Sequence, residues 1–436
     1  MKLLAYVIPF VKDAAKAVKR ICREEFKEVV DETLTELLGI ATLVVRMYAI
    51  RREGEQEVLH LWCAHREEIA LCTHCGSLST AVHQEEHRCI RHLDVWGKRT
   101  FLHFMARRFQ CEHCGRAFTE ELPFVDTHRR QSKAFEKHVH QSCLASTCKA
   151  VAIREGLSHW TSKEIFNRWA ALKKSCSVAG ATRVLGIDEI SLKKRHKQFV
   201  LVISDIVGKC ILAVLPDREK KTLEHWMDTL SPQERKSIRF VSIDMWAPYH
   251  QAARNKLPHA KVVVDRFHVM KQLNTRLTQL RTEYQKGLPP EMRSVIKGSR
   301  WILVRNRSDL SALQEDQLNK ILELCPELRT LYLLKEEFRC IFEKIHCREK
   351  AARFLSAWIL KANFTGNKYL AKFVTTLRNW WEEILNYFIE RVTNGFVEGL
   401  NGALRTIIRI AFGYRNFLNF KLRVFAELGP FHTNPR

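Results

Sequence analysis

The spacing of apolar positions changes character several times along the chain, and each change marks an element. Over residues 11–38, Val11, Ala14, Ala15, Val18, Ile21 and Cys22 recur at steps of three and four between lysines and glutamates. That predicts a helix with one solvated face, ended at Gly39. Residues 42–50 and 57–63 predict two strands joined by a hairpin at 51–54, and residues 88–93 and 101–109 predict a second pair. Helical spacing returns at 147–154 and 161–171 around Gly156-Leu-Ser158, with Thr161 or Ser162 as the second cap and Glu164 in the first turn. A helix-turn-helix has this form, as does a plain helical pair. Residues 173–180 read as a linker.

Residues 184–187 are then a short apolar run of buried-strand character that ends on Asp188. Strands at 199–205 and 209–215, with a tight turn at Ile206-Val-Gly208, complete an antiparallel meander. A helix (219–230), a strand (238–243), a helix (249–257), a strand (261–264) and a helix from Phe267 follow. The order β-β-β-α-β-α-β-α is the ribonuclease H-like layout, in which the first and fourth strands are neighbours. The expected fold class is α/β, with a helical insertion over about residues 290–390, where Leu, Lys, Glu and Arg dominate and Gly and Pro are few.

That layout gives the acids at strand ends a chemical meaning. Asp188 ends the first strand and Asp244 the fourth, so the two are expected to meet. Glu398 lies on a late helix where Asn394, Glu398, Asn401 and Arg405 share a polar stripe while Val397, Leu400 and Leu404 face inward. A single Asp at a strand end is usually a turn or cap residue; the conjunction of three acids is what points to metal. Three carboxylates with open positions suit two Mg2+ (or Mn2+) ions about 3.5–4 Å apart, which activate an attacking oxygen and stabilise a leaving one. Glu189, Asp205 and Asp265 are rival ligands that periodicity leaves open.

Charge decides the class of partner. Lys and Arg number 72 against 48 Asp and Glu in 436 residues, a formal charge of +24, which is the footprint of a polyanion such as DNA or RNA. Four of the 14 cysteines form two matched pairs, Cys72-Thr-His-Cys75-Gly76 and Cys111-Glu-His-Cys114-Gly115. Two C-x-x-C knuckles supply a closed four-thiolate site for structural Zn2+, and the scattered remainder suits a reducing compartment. His74, His83, His87 and His113 are left as surface residues or DNA contacts. Arg99, Arg107, Arg108 and Phe109 on the ribbon are candidate phosphate contacts, as are Lys149, Arg154, Lys163 and Arg168 on the helical pair. The opening apolar run is broken by Pro9 and Lys12-Asp13, and no later stretch is apolar for a bilayer's width, so a cytoplasmic, nucleoid-associated protein is expected. The expected division is a helical extension (1–40), a zinc ribbon (41–125), a helix-turn-helix (126–178) and a catalytic domain (179–436).

Gly186-Ile-Asp188-Glu189, Ser242-Ile-Asp244-Met-Trp-Ala-Pro-Tyr249, Val264-Asp265-Arg-Phe-His268-Val, Asn394-Gly-Phe-Val-Glu398-Gly-Leu-Asn401 and Phe412-Gly-Tyr-Arg-Asn-Phe417 together resemble the transposases of bacterial insertion sequences of the ISL-three type. The resemblance spans roughly residues 38–427. It implies a DDE triad of Asp188, Asp244 and Glu398, and a supporting role for Asp265 and His268. It also implies binding to terminal inverted repeats, Mg2+-dependent cleavage and strand transfer into target DNA, and at least a homodimer on DNA. Two features depart from the pattern: the long extension before residue 38, and Thr73 where the knuckle more often has proline. The competing readings are a non-catalytic DNA-binding protein that keeps the fold and a stand-alone ribonuclease H-like nuclease.

Overall fold

The computed structural model describes residues 31–144, 146–175, 182–193, 198–392 and 395–429. Most of the expected N-terminal extension therefore lies outside the described residues, as do Asn394 and the greater part of the linker read at 173–180. The chain parts into two compact units, Met1–Trp169 and Ala170–Arg436. Among the described residues, no helix is long and apolar enough to cross a membrane.

Among the described residues, the first unit begins with α1 (Glu32–Leu38), whose N-cap Asp31 accepts a hydrogen bond from the Leu34 amide and whose C-cap Gly39 is left-handed. Strands β1 (Leu43–Glu53) and β2 (Gln56–His65) form the first hairpin. The short pair β3 (Ala70–Leu71) and β4 (Leu78–Ser79) frames the first cysteine knuckle. Strands β5 (Val82–Val95) and β6 (Lys98–Gln110) form the second hairpin, and β7 (Ala117–Thr119) pairs with β6. The sheet order is β1-β2-β6-β5, with β2 parallel to β6. Both hairpins outrun the apolar stretches that predict them, because backbone pairing continues through polar pairs such as Arg52 with Glu57. One face buries Leu43, Val45, Leu59, Leu61, Ile90, Leu102 and Phe104.

Three helices follow: α2 (Lys133–Leu144), α3 (Cys148–Glu155) and α4 (His159–Ser175). The first has no counterpart in the sequence reading. Its buried positions mix Phe135 and Val139 with Glu136 and His140, which blurs the apolar stripe. Helix α3 is capped by Thr147 and closed by left-handed Gly156. Helix α4 starts two residues before the expected position. Its cap is Ser158, whose Oγ accepts from the Thr161 amide at 3.0 Å, and Ser162 is buried beside Cys143.

The second unit is built on a five-stranded sheet of order β10-β9-β8-β11-β12: β8 (Val184–Lys193), β9 (Gln198–Asp205), β10 (Cys210–Leu215), β11 (Phe240–Ile243) and β12 (Lys261–Val264). The meander β8–β10 is antiparallel, and β11 joins both β8 and β12 in parallel. This is the expected ribonuclease H-like sheet. Helices α5 (Lys220–Asp228), α6 (Pro232–Ser237) and α7 (Ala247–Lys256) punctuate it, α6 being a short addition to the pattern.

Alternation along β8 sorts side chains to two faces. Leu185 and Ile187 pack with Leu223, Met227, Tyr249 and Ala252 of α5 and α7. Ile190 and Leu192 pack with Leu400, Leu404, Phe420 and Val424 from α16 (Gly395–Ile410) and α17 (Phe417–Leu428). Between them comes the helical insertion. It follows α8 (Arg266–Gly287), the helix expected from Phe267, and runs through α9 (Pro290–Ile296), α10 (Arg300–Val304), α11 (Ala312–Leu324) and α12 (Pro326–Lys344). It ends with α13 (Arg348–Phe364), α14 (Lys368–Asn379) and α15 (Trp381–Glu390). Phe338 is its hub, with ring centroids 4.9 Å from Trp358, 5.2 Å from Phe373 and 5.3 Å from Phe342.

Candidate active site

Strand register sets the first two acids side by side. Phe240, Val241 and Ser242 of β11 pair with Val184, Leu185 and Gly186 of β8, so two residues further on Asp244 stands level with Asp188. Asp244 follows the carboxyl end of β11, whereas Asp188 does not end its strand as expected: β8 runs on to Lys193 because its pairing with β9 continues past the acid. Glycine at 186 is required by space, since a Cβ there would sit 2.7 Å from the Ser204 hydroxyl.

Each acid is held by a side chain from another element. Asp188 Oδ2 accepts from Asn401 Nδ2 at 2.6 Å, and its Oδ1 accepts from the Glu189 amide at 2.7 Å. Asp244 Oδ1 lies 2.8 Å from His268 Nδ1 and also accepts from the Met245 amide at 2.6 Å. His268 is one turn into α8, whose N-cap is Asp265, and its Nε2 is 3.9 Å from Asp265 Oδ2. Burial pushes the Asp244 carboxyl upward, but the hydrogen bond and charge of His268 outweigh it and hold the acid below its usual range. Burial likewise pulls His268 down, and Asp244, Asp265 and Asp188 together raise it above the ordinary imidazole value.

Glu398 is exposed on α16, one turn before Asn401. It lines a hollow of about 290 Å³ together with Asp265, Phe267, Asn306, Arg339 and Tyr387. Asn401 departs from the expected shared stripe. It is 7% exposed and points at Asp188, whereas Glu398 and Arg405 are exposed. Two rival acids are committed elsewhere. Glu189 faces the opposite side of β8, where it meets Tyr249 at 3.3 Å and Arg218 at 3.4 Å. Asp205 pairs with Leu185 near the start of β8, and its Oδ1 caps the hairpin by accepting from the Val207 and Gly208 amides at 3.0 and 2.9 Å. Among the described residues, the one group of three or more metal-capable side chains whose ligand atoms all fall within 4.8 Å of one another is Cys72, Cys75, Cys111 and Cys114.

The cysteine geometry suits zinc. Cys72 Sγ is 3.8 Å from Cys114 Sγ, and Cys75 Sγ is 3.6 Å from Cys111 Sγ. A tetrahedron with Zn–S bonds of about 2.3 Å has edges of about 3.8 Å, so the thiols stand at the corners one ion requires. Gly76 and Gly115 take φ of 72° and 69°, which turns each knuckle and lets their amides bond back to the Cys72 and Cys111 carbonyls.

Comparison with known proteins decides the affiliation. A family model for ISL3-type transposases matches residues 185–424, the whole catalytic sheet with its insertion and α16. The chain belongs to the ISL3 family of DDE transposases. Two further models of that family match ahead of it. One is the zinc-finger of transposase IS204/IS1001/IS1096/IS1165 over residues 70–114, and the other is the family's helix-turn-helix domain over residues 120–170. The transposase for insertion sequence element IS1001 of Bordetella parapertussis is 28% identical over 378 residues, 85% of this chain and 92% of its own. The transposase for IS1557 of Mycobacterium tuberculosis is 28% identical over 353 residues, 75% of this chain and 78% of its own.

Within the family's ribbon and helix-turn-helix, the seven basic candidates divide. Arg107 is corrected: it is 7% exposed and spends all its donors internally. Its Nε and Nη2 bond Glu120 and its Nη1 bonds the Glu67 carbonyl, so it is a structural ion pair. Arg168 is likewise drawn inward, to Asp126 at 2.7 Å and to buried Glu136. Arg154 pairs with Glu155 at 3.0 Å. Arg99 packs its guanidinium against Gly156 in the turn between α3 and α4. Arg108 and Lys149 are exposed, and Lys163 is half-buried. Charge number alone does not separate phosphate ligands from structural cations; the acids that pair with Arg107 and Arg168 lie 13 to 42 residues away in sequence.

Proposed function

We propose that the protein cuts DNA at the ends of its own insertion sequence and joins the freed 3′-hydroxyl to target DNA. The observation that carries this reading is the level placement of Asp188 and Asp244 on adjacent parallel strands, Asp244 just past the carboxyl end of β11 and Asp188 where the pairing of β8 with β11 has ended. Asp188, Asp244 and Glu398 would hold Mg2+ or Mn2+, since their hard carboxylate oxygens are the donors such ions take. Held there, such an ion would supply Lewis acidity toward the scissile phosphate and charge stabilisation for the leaving oxygen.

The chain's own residues do the positioning. Asn401 orients the Asp188 carboxylate, and His268, backed by Asp265, orients that of Asp244. The zinc ribbon and helix-turn-helix read the terminal inverted repeats, with Arg99, Arg108, Lys149, Arg154 and Lys163 as phosphate contacts. Cutting two ends together takes two active sites, so at least a dimer assembles on DNA at the nucleoid. The nucleophiles are water and then a DNA hydroxyl, so no protein side chain becomes covalently attached.

The test is gel-resolved cleavage of labelled element ends by the purified full chain with Mg2+, beside a band-shift. Asp188→Asn, Asp244→Asn and Glu398→Gln are expected to lose cutting and strand transfer while still shifting the DNA. Asp205→Asn, remote from the rim, should keep cutting. Glu398→Gln cutting at the parent rate would move the third ligand to Asp265. Absence of cutting by the parent protein would favour a non-catalytic DNA-binding protein.

A further inference from the structure

A second, larger hollow opens from the rim of the candidate active site and runs along α8. It measures about 910 Å³ and lies between α8, α10 and α14. Phe267, Met270 and Asn274 line both this groove and the hollow that holds Asp265 and Glu398, so the two form one continuous track.

The lining has a definite chemistry. Lys271, Lys286, Arg300 and Lys372 are exposed along it, and none of them is ion-paired to a described residue. Its one acid, Glu283, is already matched by Lys368 at 2.6 Å. The uncharged part of the lining includes Asn274, Thr278, Gln279 and Thr282, hydrogen-bonding side chains of small or moderate size. Two large rings stand at the edges: Trp301 is 69% exposed and Phe267 51%. Arg300 lies over the Trp301 ring at 5.2 Å from its centroid. The short helix bearing Trp301 is pinned in place by Lys335, a lysine 1% exposed whose Nζ donates to the Leu303 and Arg305 carbonyls at 3.1 and 2.8 Å. An exposed tryptophan on a rigid mount beside unpaired cations has no role in the insertion core, which closes around Phe338, Trp358 and Phe373 instead.

We propose that this groove between α8, α10 and α14 binds single-stranded DNA, the strand separated next to the cut, with Trp301 and Phe267 stacking on bases and Lys271, Arg300 and Lys372 on its phosphates. The choice of a single strand follows from the rings. Base faces in a duplex are covered by their neighbours, and only an unpaired strand offers them to an aromatic side chain. A basic channel with aromatics spaced along it is the general solution for binding such strands without regard to sequence. The inference rests on the proposed DNA-cutting function for its biological meaning, but its test does not depend on cutting.

The probe is fluorescently labelled oligo-dT of about 12 nucleotides, a length within the site sizes of single-strand binders. Its anisotropy is measured with the full-length protein and with Trp301→Ala, Trp301→Phe and the pair Arg300→Glu/Lys372→Glu. Each residue changed is exposed, and thermal melting checks that folding is unaltered. Trp301→Ala should bind at least about fivefold more weakly, the loss expected of one stacked base. Trp301→Phe should recover most of that loss, which a merely electrostatic surface would not require. The double charge reversal should weaken binding further and flatten its salt dependence. Affinities within about twofold of the parent for both Trp301→Ala and the charge reversal would overturn the proposal. The same proteins are given labelled element ends and Mg2+. Cutting by the parent with unchanged oligo-dT binding in the variants sinks the groove and leaves the function standing. Loss of oligo-dT binding in the variants with no cutting by the parent does the reverse.

Discussion

Asn401 donates from Nδ2 to Asp188 Oδ2 across 2.6 Å, tying α16 to the first strand of the sheet 213 residues earlier. Helix α16 is thereby keyed to β8, and Glu398, three residues earlier on the same helix, lines the hollow that also holds Asp265. Asn401→Ala should leave the fold intact, since Val397, Leu400 and Leu404 still anchor α16, but release the Asp188 carboxylate. Losing such an orienting partner costs about 10- to 100-fold in metal affinity or activity. The expected outcome is a raised half-saturating Mg2+ concentration for cutting, with unchanged DNA binding. A parent-like metal titration would show that the bond has no orienting role.

The zinc ribbon should fail by itself. Removing one corner of the thiolate tetrahedron, by Cys111→Ser or by a strong chelator, takes away folding energy that the small core around Phe109 and Phe118 does not supply alone. The catalytic sheet has its own cores and should keep its melting transition. Metal analysis together with calorimetry checks both halves, and one stoichiometric zinc retained in Cys111→Ser would contradict the four-cysteine site.

Arg107 and its neighbour Arg108 should behave oppositely. Arg107→Ala takes the guanidinium from the buried Glu120 carboxylate and leaves it the residue-107 amide and His65, and breaking a buried pair from one side costs up to about 3–5 kcal/mol. Arg108 is exposed, so Arg108→Ala should weaken DNA binding and lower the salt slope by about one with little change in stability. Denaturant melts and salt-dependent band-shifts on the two variants separate the roles.

His92 gives the first unit an acid sensitivity. It is buried against the Ser132 hydroxyl at 2.8 Å, and burial, with Arg91 beside it, lowers its pKa to about 4. A histidine with a lowered folded pKa holds its stabilising effect above the unfolded value of about 6.5 and loses it as pH falls toward about 4. The loss available over that window is on the order of 3 kcal/mol. The stability difference between the parent and His92→Gln should therefore shrink on acidification, a comparison in which zinc release cancels. A difference that stays constant from pH 7 to about pH 4.5 would mean His92 titrates normally.

The sequence by itself determined the features that depend on near neighbours or on period. Two C-x-x-C-Gly knuckles need only the local turn to present their thiols. The apolar runs before Asp188 and Asp244, and the order of strands around them, were enough to place both acids on adjoining strands, because topology rules leave few ways to pair such a series. The helical insertion was legible from composition. Only the tertiary structure decided which polar side chains meet. Asn401 shares its helix with Glu398 but turns toward Asp188, Arg107 and Arg168 are consumed by Glu120 and Glu136, and Ser158 caps α4. The uncharted helix α2 and the groove beside Trp301 belong to the same class. Periodicity tells which face of an element is buried, because burial averages over many neighbours. A hydrogen bond or ion pair is made with one partner at one distance, and that partner is chosen when distant segments pack.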